Sequence, residues 1–390
     1  MVLDKKIAMK HLEDPMLLQR LVLDGLDEVI AGEDAARKII FICSMGRLVI
    51  NANATSYNLL VNSTSGAGKD HVVNNVMKLL PEYAVHKRTR ISPKALTYWH
   101  NAKFEPNWTW DGKVLYLEDC SNEVFNSEVF KVFTSNGSHA TIVKDQRAID
   151  IEIKGKPVVI VTSASANPHP ELVRRFLVVN LNETPEQTQE VMMKWADHAV
   201  KGEVPKVSNL YMHSLEYLMP KRVKIPWAKK LLKYLPIKNV IMRTQVSRLV
   251  DFIKASTVLF QYQREKDSDE FLLADQQDYE IAKDILLNTT CNERFVPLTQ
   301  VQQEILTLIK EMGMNKTDDG ERETGWTANE LVSKMPIARS QFYELINKLV
   351  KDGFVEKSTE RDSYTNKPYA VYWYKKQEKL TLPTWEEVIG

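Results

Sequence analysis

Cysteine is scarce in this chain of 390 residues: Cys43, Cys120 and Cys291 stand far apart and form no CxxC pair. That spacing excludes a disulfide framework and a cysteine zinc site, and it points to a reducing compartment. Charge of one sign is also missing. Fifty-two Lys and Arg face 51 Asp and Glu, a formal net charge of +1, so any contact with nucleic acid must come from local patches. No stretch approaches the roughly 20 apolar residues of a membrane span. The opening residues, MVLDKKIAMKHLEDP, mix both charges without an apolar signal core. The expected setting is therefore cytoplasmic or nucleoid-associated, with no membrane partner. Repeats and low-complexity tracts are absent as well. What remains is an ordinary globular composition, 44% hydrophobic and 26% charged, long enough for two or three domains.

The stretch that organises the chain is Leu59 to Asp70, LLVNSTSGAGKD. An apolar run ends in small residues, then Gly66-Ala67-Gly68-Lys69, and then a helical pattern through Val72, Val73, Val76 and Leu79. Strand, phosphate-sized loop and helix start follow in that order. Glycines let backbone N–H groups approach an oxyanion, the helix adds its positive end, and Lys69 supplies a mobile charge. The match to G-x-x-x-x-G-K-[ST] is incomplete, with Ser63 at the first glycine and Asp70 at the magnesium-binding hydroxyl. Read alone, the segment is equally a glycine-rich turn before an ordinary helix.

Around it, residues 1–50 read as helices, one starting at Pro15 and one over Ala35–Val49. From 57 to 181, β-rich runs alternate with helical stretches: Tyr57–Val61, Val114–Leu117, Val158–Thr162 and Leu177–Asn180 suit the buried strands of a parallel α/β sheet. Ala140–Lys144 and Ala148–Ile153 flank a polar turn and read as a β-hairpin. Beyond about 185 the strand signal vanishes. Prolines punctuate short helices, and one longer amphipathic helix spans Ile241–Gln261. After Pro297 come three helical segments, Thr299–Met312, Trp326–Met335 with a capping box from Thr327 to Glu330, and Ile337–Val350. Gly353 stops the last, and strands Phe354–Lys357 and Tyr369–Tyr374 follow. Three helices and two strands read as a winged helix. The expected domains are an α/β core over 1–185, a helical subdomain over 186–292 and a winged helix over 296–378.

Two further features carry chemistry. Val114-Leu115-Tyr116-Leu117 ends in Glu118-Asp119, an apolar strand delivering two carboxylates, one for a magnesium shell and one to polarise water. The alternative is a strand running into an acidic turn. Val158–Val161 ends in Thr162-Ser163, either of which can orient that water or simply end a strand through local hydrogen bonds. Pro170–Phe176 contains Arg174-Arg175, which can stabilise developing phosphate charge or sit solvated near a helix end.

With these parts in order, the chain resembles the AAA+ ATPases, and within them the MCM-like replicative helicases of phages, plasmids and other mobile elements, from about Ile30 to Lys376. The resemblance implies an α/β P-loop core with a parallel sheet, a helical lid and a C-terminal winged helix. It puts the adenine-side turn at Ile30–Glu33. Ser63, Thr64, Ser65, Gly66, Ala67, Gly68, Lys69 and Asp70 take the Walker A place, and Glu118-Asp119 the Walker B place. Thr162 or Ser163 becomes sensor 1, Arg175 the arginine finger, and Arg243, or else Arg248, sensor 2. ATP and Mg2+ are the implied cofactors, with Asp70 and Glu118 toward the metal. The family keeps a pore-facing hairpin between Walker B and sensor 1, which assigns DNA contact to Lys144 and Arg147; a solvated turn is the plainer reading. Trp99, Trp108 and Trp110 are expected to pack rather than stack on bases. In the winged helix, Arg339, Gln341 and Lys348 lie off the apolar face, and Arg361 and Lys367 lie on the loop; docking to protein is the alternative.

Departures from the family are the Walker A substitutions, the inverted Glu-Asp order, a short segment between Ser92 and Gly112, and no counterpart of the N-terminal OB and zinc region. The implied function is an ATP-driven DNA helicase or translocase, a homo-oligomer and by expectation a hexamer, on single-stranded DNA, with a primase or other replication protein as possible partner. Two other readings stand beside it: an initiator or loader that binds duplex DNA through its winged helix, and a nucleotide-binding protein with an inactive site.

Overall fold

The structure is a computed structural model that describes residues 4–63, 66–96, 107–135, 139–144, 147–163, 175–202, 204–207, 210–235, 241–289, 300–312, 326–351, 354–361, 366–374 and 382–390. The chain forms two compact units, Met1–Cys291 with Thr381–Gly390, and Asn292–Leu380.

The first unit begins with helix α1 (Lys5–Leu12), whose N-terminus is capped by the Asp4 carboxylate accepting from the Lys6 amide. It ends before Pro15, and the helix expected to start there follows the Pro15–Met16 turn, helical from Leu17 and of π type over Gln19–Asp24. Helix α2 (Asp34–Met45) is buried along most of its length and packs on helix α3 (Lys69–Met77). Between them lies strand β1 (Leu59–Asn62).

Strand β2 (Val85–Arg88) follows α3. Its sequence, VHKR, hides it, because an edge strand needs few apolar residues and these four are only half-buried or exposed. Next come β3 (Val114–Leu117), fully buried, and the short helices α4 (Asn122–Phe125) and α5 (Glu128–Phe133). Then follow β4 (His139–Lys144), β5 (Arg147–Glu152), β6 (Val158–Ser163) and β7 (Leu177–Asn180).

Five of these strands form one parallel sheet in the order β2-β3-β6-β1-β7. Continuous Val/Leu/Ile runs are what such a sheet demands, since helices cover both faces. One face is filled by Leu60, Leu115, Leu117, Val159, Val161 and the aromatic group Trp110, Phe125, Phe130, Phe133 and Phe176. Trp110, with Trp108 edge-on at 4.7 Å, belongs to this packing; Trp99 lies outside the described residues. Asn58 pins the start of β1 to both neighbours: its side-chain oxygen accepts from Val159 N at 3.1 Å and its backbone oxygen from Leu177 N at 2.8 Å. Separately, β4 and β5 pair antiparallel from His139↔Glu152 to Lys144↔Arg147.

Beyond the sheet, α6 (Pro185–Lys201) starts at the Thr184 cap and stops at Gly202, which has φ 65. Strand signal does not end here as anticipated. Two-residue strands β8 (Val223–Lys224) and β9 (Leu272–Leu273) pair parallel, too short for any sequence periodicity to announce. Helices α7 (Ala228–Leu232), α8 (Ile241–Leu259) and α9 (Gln276–Asn288) complete the region. The α8 residue Asp251 ties this region to the approach of β1, accepting from Ser56 Oγ at 2.7 Å through its carboxylate and from Tyr57 OH at 2.7 Å through its carbonyl.

The second unit packs α10 (Gln300–Met312), α11 (Ala328–Ser333) and α12 (Arg339–Lys351) around Ile305, Ile309, Leu331, Phe342, Ile346 and Leu349. Its sheet has three strands rather than two: β10 (Trp326–Thr327), β12 (Pro368–Tyr374) and β11 (Val355–Arg361), in that order. Thr327 ends β10 and also caps α11, forming a capping box with Glu330, so one residue serves two elements. Gly353 lies outside the described residues. After this unit the chain adds α13 (Trp385–Ile389) to the first, with Trp385 edge-on to Trp227 at 5.1 Å. Among the described residues no helix is long and apolar enough to cross a membrane.

Candidate functional site

In parallel α/β sheets ligands meet the carboxyl ends of the strands, and the register here brings three such ends level. Val61 lies beside Thr162 and Asn62 beside Ser163, while Leu117 lies beside Val161. The loop after β1, the acidic pair after β3 and the hydroxyl at the end of β6 therefore share one edge, although 43 residues separate Asp119 from Thr162 along the chain.

The loop has Gly66 at φ 90 and Gly68 at φ 83. A Cβ at either would meet nothing within 4 Å. Glycine is required there by the left-handed backbone and not by crowding, and the loop faces open space. Gly68 is the N-cap of α3, so Lys69 is its first helical residue. Ser63 is buried, Ala67 is half-buried, and Thr64 and Ser65 lie outside the described residues. Lys69 is only 6% exposed, yet it makes no hydrogen bond or ion pair among the described residues. It is the stem that is buried, and the ammonium at its end is left available to an anionic ligand.

Asp70 Oδ1 accepts from Thr162 Oγ1 and, at 3.3 Å, from the Tyr116 hydroxyl. Its Oδ2 takes no hydrogen bond among the described residues. Burial, reinforced by the Asp70 charge, pushes the Tyr116 phenol upward, so it remains a donor. Thr162 is fully buried and also accepts from the Asp119 amide at 2.9 Å. This hydroxyl joins α3, β3 and β6, whereas the side chain of Ser163 lies outside the description. Asp119 itself has φ 46, a left-handed conformation that costs a non-glycine residue about 1–2 kcal/mol. Strain of this kind persists where the surroundings enforce it.

Glu118 is held differently. Oε1 accepts from Asn74 at 2.8 Å and Lys87 at 2.9 Å, and Oε2 from Thr89 at 2.8 Å. Burial works to raise this carboxyl, but the bonds from Lys87, Asn74 and Thr89 outweigh it and hold it below its ordinary value. Lys87, Thr89, Asn74 and Tyr116 were missed by the sequence reading. The only signal was a tyrosine inside an apolar strand and a basic run, VHKRTR, that resembles a solvated surface.

Magnesium fits this donor set. Among the described residues no three His, Cys, Asp or Glu side chains form a ready cage, and magnesium needs none, because it binds one or two carboxylates and takes phosphates and waters for the rest. Asp70 offers its open Oδ2, and Glu118 keeps capacity at Oε2.

The remaining candidates are placed as follows. The turn expected at the adenine side is clamped from two directions: His71 Nε2 donates to Val29 O at 2.7 Å and Gln187 Nε2 to Ala31 O at 2.7 Å. A Cβ on Gly32 would fall 2.4 Å from Gln187 Oε1. Arg175 donates to the Lys131 carbonyl in the last turn of α5, and Arg174 lies outside the described residues. Arg243 is exposed in the first turn of α8, while Arg248 is buried. Arg147 is exposed beside the β4–β5 turn; Asp145, Gln146 and the side chain of Lys144 are not described. In the second unit Arg339, Gln341 and Lys348 are exposed on α12, with Arg339 donating to Asn329 Oδ1 at 2.6 Å. Arg361 reaches Asn366 Oδ1 at 3.4 Å, Lys367 is exposed, and residues 362–365 between them lie outside the description.

A parallel sheet with a glycine-lysine loop leading into α3 defines a P-loop protein. Residues 4–214, more than half of the chain, match the family described as the MTBMA_p00010 P-loop domain, and the chain belongs to that family. It is also 23% identical over 359 residues to an uncharacterized protein, MTBMA_p00010, of Methanothermobacter marburgensis. The alignment covers 84% of this chain and 43% of that protein, so the chain spans less than half the length of the relative it matches.

Proposed function

We propose that the chain is an AAA+ ATPase that acts as an MCM-like, ring-forming translocase on single-stranded DNA during replication of a mobile element, with its second unit a winged helix. The observation that carries the nucleotide half is Lys69, whose ammonium has no partner among the described residues and which directly follows the left-handed Gly68. A triphosphate supplies the missing charge. Amides of the loop and Lys69 hold its phosphates, and Arg243 approaches from α8, serving its own subunit's site or a neighbour's. Asp70, through Oδ2, and Glu118 hold the magnesium, which neutralises phosphate charge when bound. Asp119 polarises the attacking water, and Thr162 links its backbone to Asp70. Arg175 serves the site of a neighbouring copy. The β4–β5 hairpin, inserted between the acidic strand and the Thr162 strand, supports the translocase half, with Lys144 and Arg147 as its strand contacts.

Two inactive variants test the shared site. Lys69→Ala and Arg175→Ala should each abolish ATP turnover, and their mixture should regain a fraction of it, because one copy supplies the intact loop and the other the intact arginine. Full turnover by Arg175→Ala as a monomer overturns the reading. The exposed Arg339, Gln341 and Lys348 favour a second reading, an initiator or loader that grips duplex DNA. Strand displacement on forked DNA, measured beside duplex binding, separates the two.

A further inference from the structure

Cations are distributed unevenly in this balanced chain. Between Glu216 and Asp251 there are nine lysines and arginines and no aspartate or glutamate. The backbone here is fixed at many points. Lys221 N donates to Leu48 O at 2.9 Å, Asn51 exchanges hydrogen bonds with Val223 at 2.8 and 2.9 Å, and Trp227 Nε1 donates to Ala274 O at 3.1 Å. Trp227, Leu231 and Leu235 are buried beneath α7. What remains outward is largely basic: Arg222, Lys229, Lys230 and Lys233 are exposed, beside Tyr234 at 51% and Leu232 at 45%.

Most of the acids nearby are already engaged. Asp267 and Asp269 pair with Lys224, and Glu270 with Lys266. On α13, which packs on α7, Glu387 accepts from the Thr384 amide within its own capping box, and Glu386 is exposed. Lys230 spends its ammonium on the Ile389 carbonyl. The side chains of Lys229 and Lys233, one helical turn apart, have no ion pair or hydrogen bond among the described residues, and neither does that of Tyr234.

We propose that this surface, Lys229 and Lys233 with Tyr234 beside them, is a second contact for single-stranded nucleic acid, separate from the β4–β5 hairpin. Lysines one turn apart neutralise phosphates, and the tyrosine offers a ring on which a base stacks. The proposal shares with the function above only its ligand class and does not require ATP.

The test is binding of a fluorescein-labelled oligothymidylate to the full chain without nucleotide, across a salt series. Lys229→Ala/Lys233→Ala should weaken binding on the order of tenfold or more near 0.1 M salt and lower the slope of log K against log salt by about 1.4, since each phosphate contact contributes ~0.7 on a single strand. Lys229→Arg/Lys233→Arg should retain both, and Tyr234→Ala should lose about tenfold with the slope unchanged. Arg147→Ala is the comparison arm. If it weakens binding while Lys229→Ala/Lys233→Ala does not, the hairpin reading survives and this one fails. If the parent chain prefers anionic vesicles or an acidic peptide to the oligonucleotide, the surface has another partner and the proposal is overturned.

Discussion

Two charged residues in the first unit are treated in opposite ways. Asp278 of α9, fully buried, accepts from Ser256 at 2.7 Å, Thr257 at 3.0 Å, Arg264 at 2.7 and 2.9 Å and the Asp275 amide at 3.1 Å. Lys69 of α3 buries its stem nearly as fully, but its ammonium is not buried and has no partner among the described residues. A satisfied charge rigidifies the fold; an unsatisfied one waits for a ligand. The carboxylates of the site repeat the lesson on a smaller scale. Glu118 is ringed by three donors, and Asp70 keeps one oxygen open.

The comparison breaks most visibly by exchanging the outcomes. Asp278→Ala leaves Arg264 only the half-exposed Asp275 and Gln277 as polar partners among the described residues and should cost about 3 kcal/mol of stability. Lys69→Ala should leave chemical denaturation unchanged or raise its midpoint, and weaken ATP by about 3 kcal/mol, roughly a hundredfold in Kd by calorimetry. If Lys69→Ala destabilises as Asp278→Ala does and leaves ATP binding intact, Lys69 is structural.

Glu118 gives a smaller, pH-dependent contrast. Its folded pKa is lowered from 4.5, so its contribution to stability is complete above that pH and is lost as pH falls through the folded value. The parent should therefore exceed Glu118→Gln in stability at neutral pH, with the gap closing in acid; a gap that persists at pH 2 removes the ionic account. Smallest is Gly68→Ala. With φ 83 and open space around the Cβ position, it should cost about 1 kcal/mol through backbone strain alone, read as a modest fall in denaturation midpoint.

Local signals were legible in the residues. Val114–Leu117 reads as a buried strand because four apolar side chains in a row suit a sheet covered on both faces. Thr327 and Glu330 read as a capping box because their spacing matches the first helical turn. The edge strand Val85–Arg88 was illegible because half of it faces water and its side chains are polar. That Thr162 lies beside Asp70 was also closed to sequence reasoning, because the contact joins β6 to α3 across 92 residues of chain.

The sequence by itself determined the loop chemistry, the strands that carry it and the residue types at each strand end, because these depend on neighbours a few positions away. Tertiary structure alone decided that Lys87 and Asn74 claim Glu118, that Tyr116 and Thr162 claim one oxygen of Asp70, and that Lys69 has no partner among the described residues. Those outcomes join β1, β2, β3, β6 and α3, and hydrogen-bond partners tens of residues apart are chosen by sheet order and register, which no local pattern encodes.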